Sequence, residues 1–187
     1  MMAKTALNLQ QTYQQELRQQ LLATLKLDNP HRVPRLIKVV VSVGLGRAKE
    51  DKRAFETATN TLRKITGQQP LELKAKQSIA SFKLREGQPI GLKVTLRDKR
   101  MYEFVERLIH VVMPRVRDFH GVADSSFDAQ GHYNLGFEDQ SVWPELSFED
   151  TAYAHGLQVS FVIKAESTEH AKALLSALGL PFAKKEK

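Results

Sequence analysis

The stretch 90–97 alternates between apolar and polar side chains without a break. Four aliphatic residues occupy every second position: Ile90, Leu92, Val94 and Leu96. The positions between them hold small, hydroxyl-bearing or cationic residues: Gly91, Lys93, Thr95 and Arg97. Because successive side chains of a β-strand point to opposite faces, this pattern predicts a strand with one face on an apolar core. The other face is then open and positively charged.

Three further segments show the same period of two. In residues 35–43 we expect the core-facing set to be Ile37, Val39, Val41 and Val43. The outer set of that strand is Lys38, Val40 and Ser42. Residues 71–75 alternate charged side chains with an apolar set: Leu71, Leu73 and Ala75. The last segment, 156–165, has an inner set of four: Leu157, Val159, Phe161 and Ile163. Each segment therefore predicts a half-buried strand.

Apolar residues recur at helical spacing between these strands. The amino-terminal segment 8–25 carries one apolar stripe: Leu9, Tyr13, Leu17, Leu21 and Leu25. A second helix is predicted between the turn GLG at 44–46 and Gly67, and a third from Met101 to about Pro114. Thr168 is the predicted N-cap of a last helix, which Gly179 closes.

Half-buried strands interleaved with amphipathic helices predict an α+β fold of two layers. In this fold an antiparallel sheet has helices packed on one face, and its other face is open. A chain of 187 residues without a flexible linker predicts a single domain, 1–187. Within it we distinguish an amino-terminal lobe at 8–81 and a carboxy-terminal lobe at 82–182.

Positive charge is concentrated in one part of the chain. Residues 1–100 carry 20 basic and 8 acidic side chains, whereas residues 101–187 carry 8 and 13. In residues 74–100 eight Lys or Arg stand against two acids, Glu86 and Asp98. Lysines are common on the polar face of any half-buried sheet, but an ordinary soluble surface mixes both signs of charge. The excess of one sign therefore indicates a surface that binds nucleic acid through its phosphates.

Other classes of protein are disfavoured. The chain has no cysteine, which excludes disulfides, thiolate catalysis and cysteine-ligated metals. Its six histidines share no metal-ligand spacing, and it contains neither HExxH nor GxSxG. No apolar run approaches the roughly 20 residues of a membrane span. We therefore expect a cytoplasmic protein with no cofactor, no catalytic residues, no small-molecule substrate and no membrane partner; an organelle is the alternative compartment.

Nine short motifs occur in a fixed order along the chain. They are VPR at 33–35, GLG at 44–46, TGQQP at 66–70, KAKQSIASFKLREGQPIGLKVTLR at 74–97, MYEF at 101–104, PRVRDF at 114–119, SFD at 126–128, YNLG at 133–136 and PE at 144–145. In combination they resemble the bacterial-type family of large-subunit ribosomal protein five. The similarity runs from about Val33 to Phe182, which is most of the chain.

The resemblance implies a structural, non-catalytic role in the central protuberance of the large ribosomal subunit, where this family binds 5S rRNA. The positions that correspond to the family's 5S rRNA surface are Ser42, Gln68 and Thr95. The facing of the predicted strands adds four cations to this surface: Lys38, Lys74, Lys93 and Arg97. Large-subunit rRNA and neighbouring proteins of the central protuberance are the further partners that the resemblance implies.

Two more contacts follow from the resemblance. The loop 76–85 corresponds to the family's loop near the elbow of P-site tRNA, with candidate contacts Lys76, Gln77, Ser78, Ser81, Lys83 and Arg85. From its composition alone this loop is equally a solvated hairpin tip. The segment 114–136 matches the part that bridges to a protein of the small-subunit head, with candidate contacts Arg115, Arg117, Asp118, Phe119, Phe127, Asp128 and Tyr133.

The chain departs from the family pattern at several positions. Ser42 stands where the family usually has Asn, so one hydroxyl replaces the separate donor and acceptor of an amide. We expect one RNA contact to be weaker or water-mediated as a result. In the bridging segment His120 and Gln130 replace two arginines of the family motifs. Because this half of the chain is also net acidic, the bridge is predicted to favour a basic partner surface.

A second hypothesis uses the same basic face in a free RNA-binding factor or a nuclease. A nuclease would gather a metal-binding set from Asp118, Asp124, Asp128, His132, Glu138 and Asp139. Acid-rich loops are more often simply solvated. A ribosomal scaffold should co-sediment with large subunits without turning over RNA, whereas a nuclease should need a divalent metal.

Overall fold

The computed structural model describes residues 8–46 and 52–183. In this part of the chain five strands form one sheet: β1 (Arg35–Gly44), β2 (Leu71–Lys74), β3 (Pro89–Leu96), β4 (Tyr133–Phe137) and β5 (Leu157–Lys164). Their order across the sheet is β2-β3-β1-β5-β4. The sheet is antiparallel and forms, with the helices, a two-layer α+β fold. The predicted fold class is therefore confirmed.

The helices occupy the segments that carry apolar stripes. The α-helical segments are α1 (Leu9–Thr12), α2 (Arg18–Thr24), α3 (Lys52–Thr66), α4 (Asp98–Arg107) and α5 (Thr168–Ala177). A π-helical stretch, Tyr13–Leu17, joins α1 to α2, and another, Leu108–Val112, continues α4. The predicted turn into α3 reaches into residues 47–51, which lie outside the described residues.

The prediction of Thr168 as the N-cap of α5 is wrong by one residue. Ser167 is the cap, because its backbone is extended and its side-chain oxygen accepts a hydrogen bond from the His170 N–H at 3.3 Å. Thr168 is the first helical residue. Both serine and threonine are suited to capping, so only the backbone conformation distinguishes them here.

Among the described residues, one compact unit comprises 8–39, 97–135 and 160–183. Its core includes an aromatic cluster around Tyr133, which is fully buried. The Tyr133 ring centroid lies 4.7 Å from that of Phe127, 6.2 Å from that of Phe161 and 5.8 Å from that of Phe182. These contacts fix the turn before β4 and the segment after α5 within this unit.

The other compact unit comprises the described residues 40–46, 52–96 and 136–159. Helix α3 contributes four buried apolar residues to its core: Ala54, Ala58, Leu62 and Ile65. The strands contribute Val41, Val43, Leu92 and Val94. The segment after β4 is held by Gln140, whose amide donates to the Tyr153 carbonyl at 2.8 Å and accepts from the His155 N–H at 2.8 Å. The division of the sequence into lobes 8–81 and 82–182 stays a prediction.

The predicted strand facing is confirmed for β5 and in part for β1. In β5 all four residues of the expected inner set are buried: Leu157, Val159, Phe161 and Ile163. In β1 Ile37 is 43% exposed, whereas Leu36 is buried. The assignment of Ile37 to the inner face is therefore wrong. The buried residues Leu36 and Val39 have two residues between them, where a regular alternation would have one. A single break of this kind reverses the facing of every residue on one side of it.

Candidate nucleic-acid interface

Strand β3 has the two-sided character that the sequence predicts. Leu92, Val94 and Leu96 are fully buried or nearly so on the helix side. Lys93 and Thr95, between them, are half-buried and point the other way. A Cβ atom on Gly91 would lie 2.7 Å from the Val43 carbonyl oxygen of β1. The absence of a side chain at this position therefore allows β3 to approach β1 closely.

Strand β1, the neighbour of β3, adds a hydroxyl to the same side. Val41 and Val43 are buried at 0% and 2% exposure, whereas Ser42 between them is half-buried. Alternation along the strand then places Ser42 on the face away from the helices, where Lys93 and Thr95 also lie. The combination of one cation and two hydroxyls is suited to phosphate and ribose groups.

Strand β2 pairs with β3 in a register that the sequence did not reveal. Leu71 lies opposite Lys93, Leu73 opposite Gly91 and Lys74, after a register shift, opposite Pro89. Directly opposed residues of an antiparallel pair point to the same face. Leu71 and Leu73 therefore lie on the outer side. We refer to the outer side of the second unit as the cationic face, formed by Ser42, Leu71, Leu73, Lys74, Lys93 and Thr95.

The lysines of this face form no ion pair with an acid of the described chain. Ion pairs within residues 8–46 and 52–183 include Arg32–Glu166, Lys64–Asp150, Lys99–Glu103 and Lys172–Asp124. Neither Lys74 nor Lys93 takes part in any of them. Glu72 lies opposite Leu92 and so belongs to the other side of β2. The cationic face can therefore attract an anionic partner.

The remaining candidates for rRNA binding lie elsewhere in the two units. Gln68 is half-buried in the turn after α3, where its backbone N–H donates to the Thr66 hydroxyl at 3.4 Å. In the first unit Lys38 is half-buried on β1, and Arg97 is exposed at the N-cap of α4. Neither Lys38 nor Arg97 forms an ion pair with a described residue. Gln68, Lys38 and Arg97 therefore keep polar groups available for a ligand.

The loop 76–85 is the tip of an ordered hairpin. Ala75 and Gln88 close its base with a backbone hydrogen bond of 2.9 Å, and Ile79 and Leu84 pair at its tip at 3.0 and 3.1 Å. The Ser78 hydroxyl accepts a hydrogen bond from the Glu86 N–H at 2.9 Å. All six candidates of this loop are exposed: Lys76, Gln77, Ser78, Ser81, Lys83 and Arg85.

The candidates of the subunit bridge divide into exposed and structural residues. Arg115, Arg117 and Asp118 are exposed, whereas Phe119 and Phe127 are half-buried. The Asp128 carboxylate accepts hydrogen bonds from the N–H groups of Gln130 and His132, at 2.9 and 2.7 Å. The Tyr133 hydroxyl donates to the Ala123 carbonyl at 2.9 Å. Asp128 thus stabilises the turn before β4, and Tyr133 stabilises the core of the first unit.

The acids that a nuclease would need do not form a metal site. Among residues 8–46 and 52–183 no three His, Asp or Glu side chains come together in a group that could hold a metal ion. Asp124 forms an ion pair with Lys172 at 2.6 Å, and Asp128 accepts a hydrogen bond from a backbone N–H of its own turn. In the same residues no helix has both the length and the apolar character required to cross a membrane.

Two family models match the chain in succession. The model described as ribosomal protein L5 matches residues 29–85, and the model of the C-terminus of the same ribosomal family matches residues 89–182. The chain belongs to the ribosomal protein L5 family. Its relatives include the "large ribosomal subunit protein uL5" of Thermus thermophilus, which is 47% identical over 178 residues, covering 95% of this chain and 98% of the relative.

Two other relatives carry the same name. That of Salinibacter ruber is 46% identical over 177 residues, covering 95% of this chain and 93% of the relative. That of Clostridium botulinum is 46% identical over 176 residues, covering 94% of this chain and 98% of the relative. Members of the family are structural, non-enzymatic components of the ribosome. The expected family is therefore confirmed, together with its place in translation as a ribonucleoprotein component.

The sequence missed the position of Leu71 and Leu73 on the cationic face. A period of two shows which residues share a face but not which face is buried. Glu72 was a misleading signal, because a charged residue between two leucines is ordinarily expected on the open side, whereas here it lies on the side of Leu92. The pairing with β3 determines the facing, and that register depends on residues about 20 positions further along the chain.

Proposed function

We propose that this chain binds 5S rRNA through the cationic face, in the central protuberance of the large ribosomal subunit. The observation that carries the proposal is the group of Ser42, Lys93 and Thr95, in which the cation forms no ion pair with a described acid. Bacterial-type relatives are part of the cytoplasmic ribosome, and we propose the same location for this chain. Large-subunit rRNA and neighbouring proteins of the protuberance are its further partners.

The residues of the face have different roles in this binding. Lys74 and Lys93 neutralise phosphates, and the release of counterions from the RNA favours the complex. The hydroxyls of Ser42 and Thr95 meet 2′-OH groups and base edges, which distinguish RNA from DNA. Three residues outside the face are each proposed to contact rRNA as well: Lys38, Gln68 and Arg97.

Filter binding to purified 5S rRNA across a range of salt concentrations tests the proposal. We expect Lys93→Ala and Arg97→Ala each to reduce the slope of log K against log salt by roughly 0.7 to 0.9, the value for one lost phosphate contact. Lys99→Ala is the matched control, because Lys99 is exposed but pairs with Glu103 at 3.7 Å. A same-length control RNA should bind more weakly. Equal affinity for the two RNAs, or an unchanged slope in both variants, would contradict the proposal.

Thr95→Val tests the hydroxyl separately from the charge. The substitution keeps the shape and the strand propensity of the side chain but removes its polar group. If the hydroxyl meets RNA in a dry contact, affinity should fall by on the order of 1 kcal/mol with no change in the salt slope. Unchanged affinity would leave Thr95 as a strand residue without a role in binding.

We further propose that the hairpin tip 76–85 approaches P-site tRNA. Its support is an ordered tip that presents three cations, Lys76, Lys83 and Arg85, without a described ion pair. Combined Lys83→Ala and Arg85→Ala should weaken crosslinking of the tip to P-site tRNA while leaving 5S rRNA binding intact. Crosslinking at the wild-type level would remove the tRNA contact from the proposal.

The bridge to the small-subunit head is proposed for the exposed residues Arg115, Arg117 and Asp118, with Phe119 beside them. The acidic character of residues 101–187 favours a basic partner surface. Crosslinking from position 117 to head proteins of known charge should therefore select basic ones. Equal crosslinking to acidic and basic head proteins would count against this contact.

A further inference from the structure

Two leucines of the edge strand β2 expose large apolar surfaces. Leu71 is 64% exposed and Leu73 is 37% exposed. Natural edge strands usually carry charged side chains, because an exposed apolar edge promotes pairing with other chains. Two leucines in a strand of only four residues therefore indicate a surface that is covered in the assembled state.

The register of β2 places both leucines among the cations. Leu71 is opposite Lys93, and Leu73 is opposite Gly91. Opposed residues have Cβ atoms roughly 4.5 to 5.5 Å apart, so the Leu71 side chain lies directly beside the stem of Lys93. Lys74 follows on the same side after the register shift. Any partner that reaches the ammonium groups of Lys74 and Lys93 therefore also covers the two leucines.

We propose that Leu71 and Leu73 contact the ribose and base edges of the RNA whose phosphates are bound by Lys74 and Lys93. This inference rests on the proposed function. Lysine side chains are long and reach the phosphates, whereas the shorter leucines remain close to the sheet and meet the sugars. The wide, shallow minor groove of an RNA helix exposes sugars and base edges, and leucine packs against minor grooves in other nucleic-acid complexes. The leucines would then add an apolar contribution that does not depend on salt, beside the salt-dependent contribution of the lysines.

The charge of the surroundings favours RNA over a protein partner. In residues 74–100 eight basic residues stand against two acids, and the acid within β2, Glu72, points to the other side. An apolar protein partner would bury Lys74 and Lys93 without supplying their counter-charges, which carries a desolvation penalty. A polyanion supplies the charges and the apolar edges together.

Leu71→Thr and Leu73→Thr test the inference, because threonine keeps the strand propensity and removes most of the apolar surface. In filter binding to 5S rRNA we expect each variant to lose affinity roughly five- to tenfold, with the salt slope of the wild type. Phe148→Ser is the matched control: Phe148 is 93% exposed in the same unit but is not part of the cationic face. Its affinity should equal that of the wild type. Unfolding curves establish that each variant is folded.

The outcomes separate this inference from the proposed function. If the wild type prefers 5S rRNA and both leucine variants bind it as tightly, the leucines do not contact RNA and the inference is overturned, while the proposed function stands. The same holds if the variants bind RNA normally but lose a protein neighbour during subunit reconstitution. If the wild type shows no preference for 5S rRNA, the proposed function itself fails.

Discussion

Asp150 holds a loop of the second unit to helix α3, and Asp150→Asn should weaken this unit in a pH-dependent way. Its carboxylate accepts hydrogen bonds from the Lys64 ammonium at 2.5 Å, the Ser147 N–H at 2.9 Å and the Ser147 hydroxyl at 2.7 Å. The Asp150 side chain is 11% exposed, whereas that of Lys64 is 46% exposed. The hydrogen bond from Lys64 and those from Ser147 lower the pKa of Asp150 from 3.8 to about 2.

The lowered pKa sets the size and the pH range of the effect. Because the folded protein binds the Asp150 proton less tightly than the unfolded chain, the stabilisation is complete above about pH 4 and is lost as the pH falls through about 2. The full difference in pKa would correspond to roughly 2 kcal/mol. Solvent screening at the half-exposed Lys64 reduces this, so we expect Asp150→Asn to lower the free energy of unfolding by about 1 to 1.5 kcal/mol at pH 7.

Denaturant unfolding followed by circular dichroism at pH 7, 5, 3 and 2 measures this difference. The gap between wild type and Asp150→Asn should be constant from pH 7 to 5 and should close toward pH 2. Glu149→Gln is the control, because Glu149 is the exposed neighbour of Asp150 and should behave as wild type throughout. A gap that stays the same at every pH, or an equal loss in Glu149→Gln, would refute the reasoning.

Two further substitutions test the packing of the second unit. Gly91→Ala should lower the free energy of unfolding by on the order of 1 to 3 kcal/mol, because its Cβ would lie 2.7 Å from a backbone oxygen of β1. The control is Gly136→Ala, because nothing lies within 4 Å of a Cβ at that position. Thermal unfolding should give a lower melting temperature for Gly91→Ala than for Gly136→Ala, and equal melting temperatures would contradict this. Gln140→Ala removes the partners of the Tyr153 carbonyl and the His155 N–H and should cost about 2 to 3 kcal/mol in urea unfolding. A loss below about 0.5 kcal/mol would mean that water replaces the amide.

The sequence predicts the central strands β3 and β5 well and the edge strand β2 poorly. In β5 and β3 a strict period of two coincides with burial on one side, because these strands have neighbours on both edges and helices on one face. In β2 the same period identifies Leu71 and Leu73 as a pair but assigns them to the wrong side. Only the pairing with Lys93 and Gly91 decides their facing, and such non-local pairing cannot be read from a four-residue strand.

Some residues of the structure's functional and structural sites can be predicted from the sequence, and others cannot. Lys93, Thr95 and Ser42 can be assigned to one face from alternation alone, because each lies between two buried aliphatic residues. Asp150 could not be recognised as a structural residue, since it lies in an acid-rich stretch that would ordinarily be solvated. Its partner Lys64 is 86 positions away in the chain, and only the fold brings the two charges together.

The contribution of Phe182 to the aromatic cluster has a consequence for how the protein is made. Phe182 packs on Phe127 and Tyr133, with ring centroids 6.0 and 5.8 Å apart, so the first unit requires a residue that is translated late. Every residue of the second unit precedes Ser160. Since synthesis proceeds from the amino end, we expect arrested nascent chains of increasing length to gain protease resistance in two steps. The segment that carries Ser42, Lys93 and Thr95 should become resistant before the segment around Tyr133.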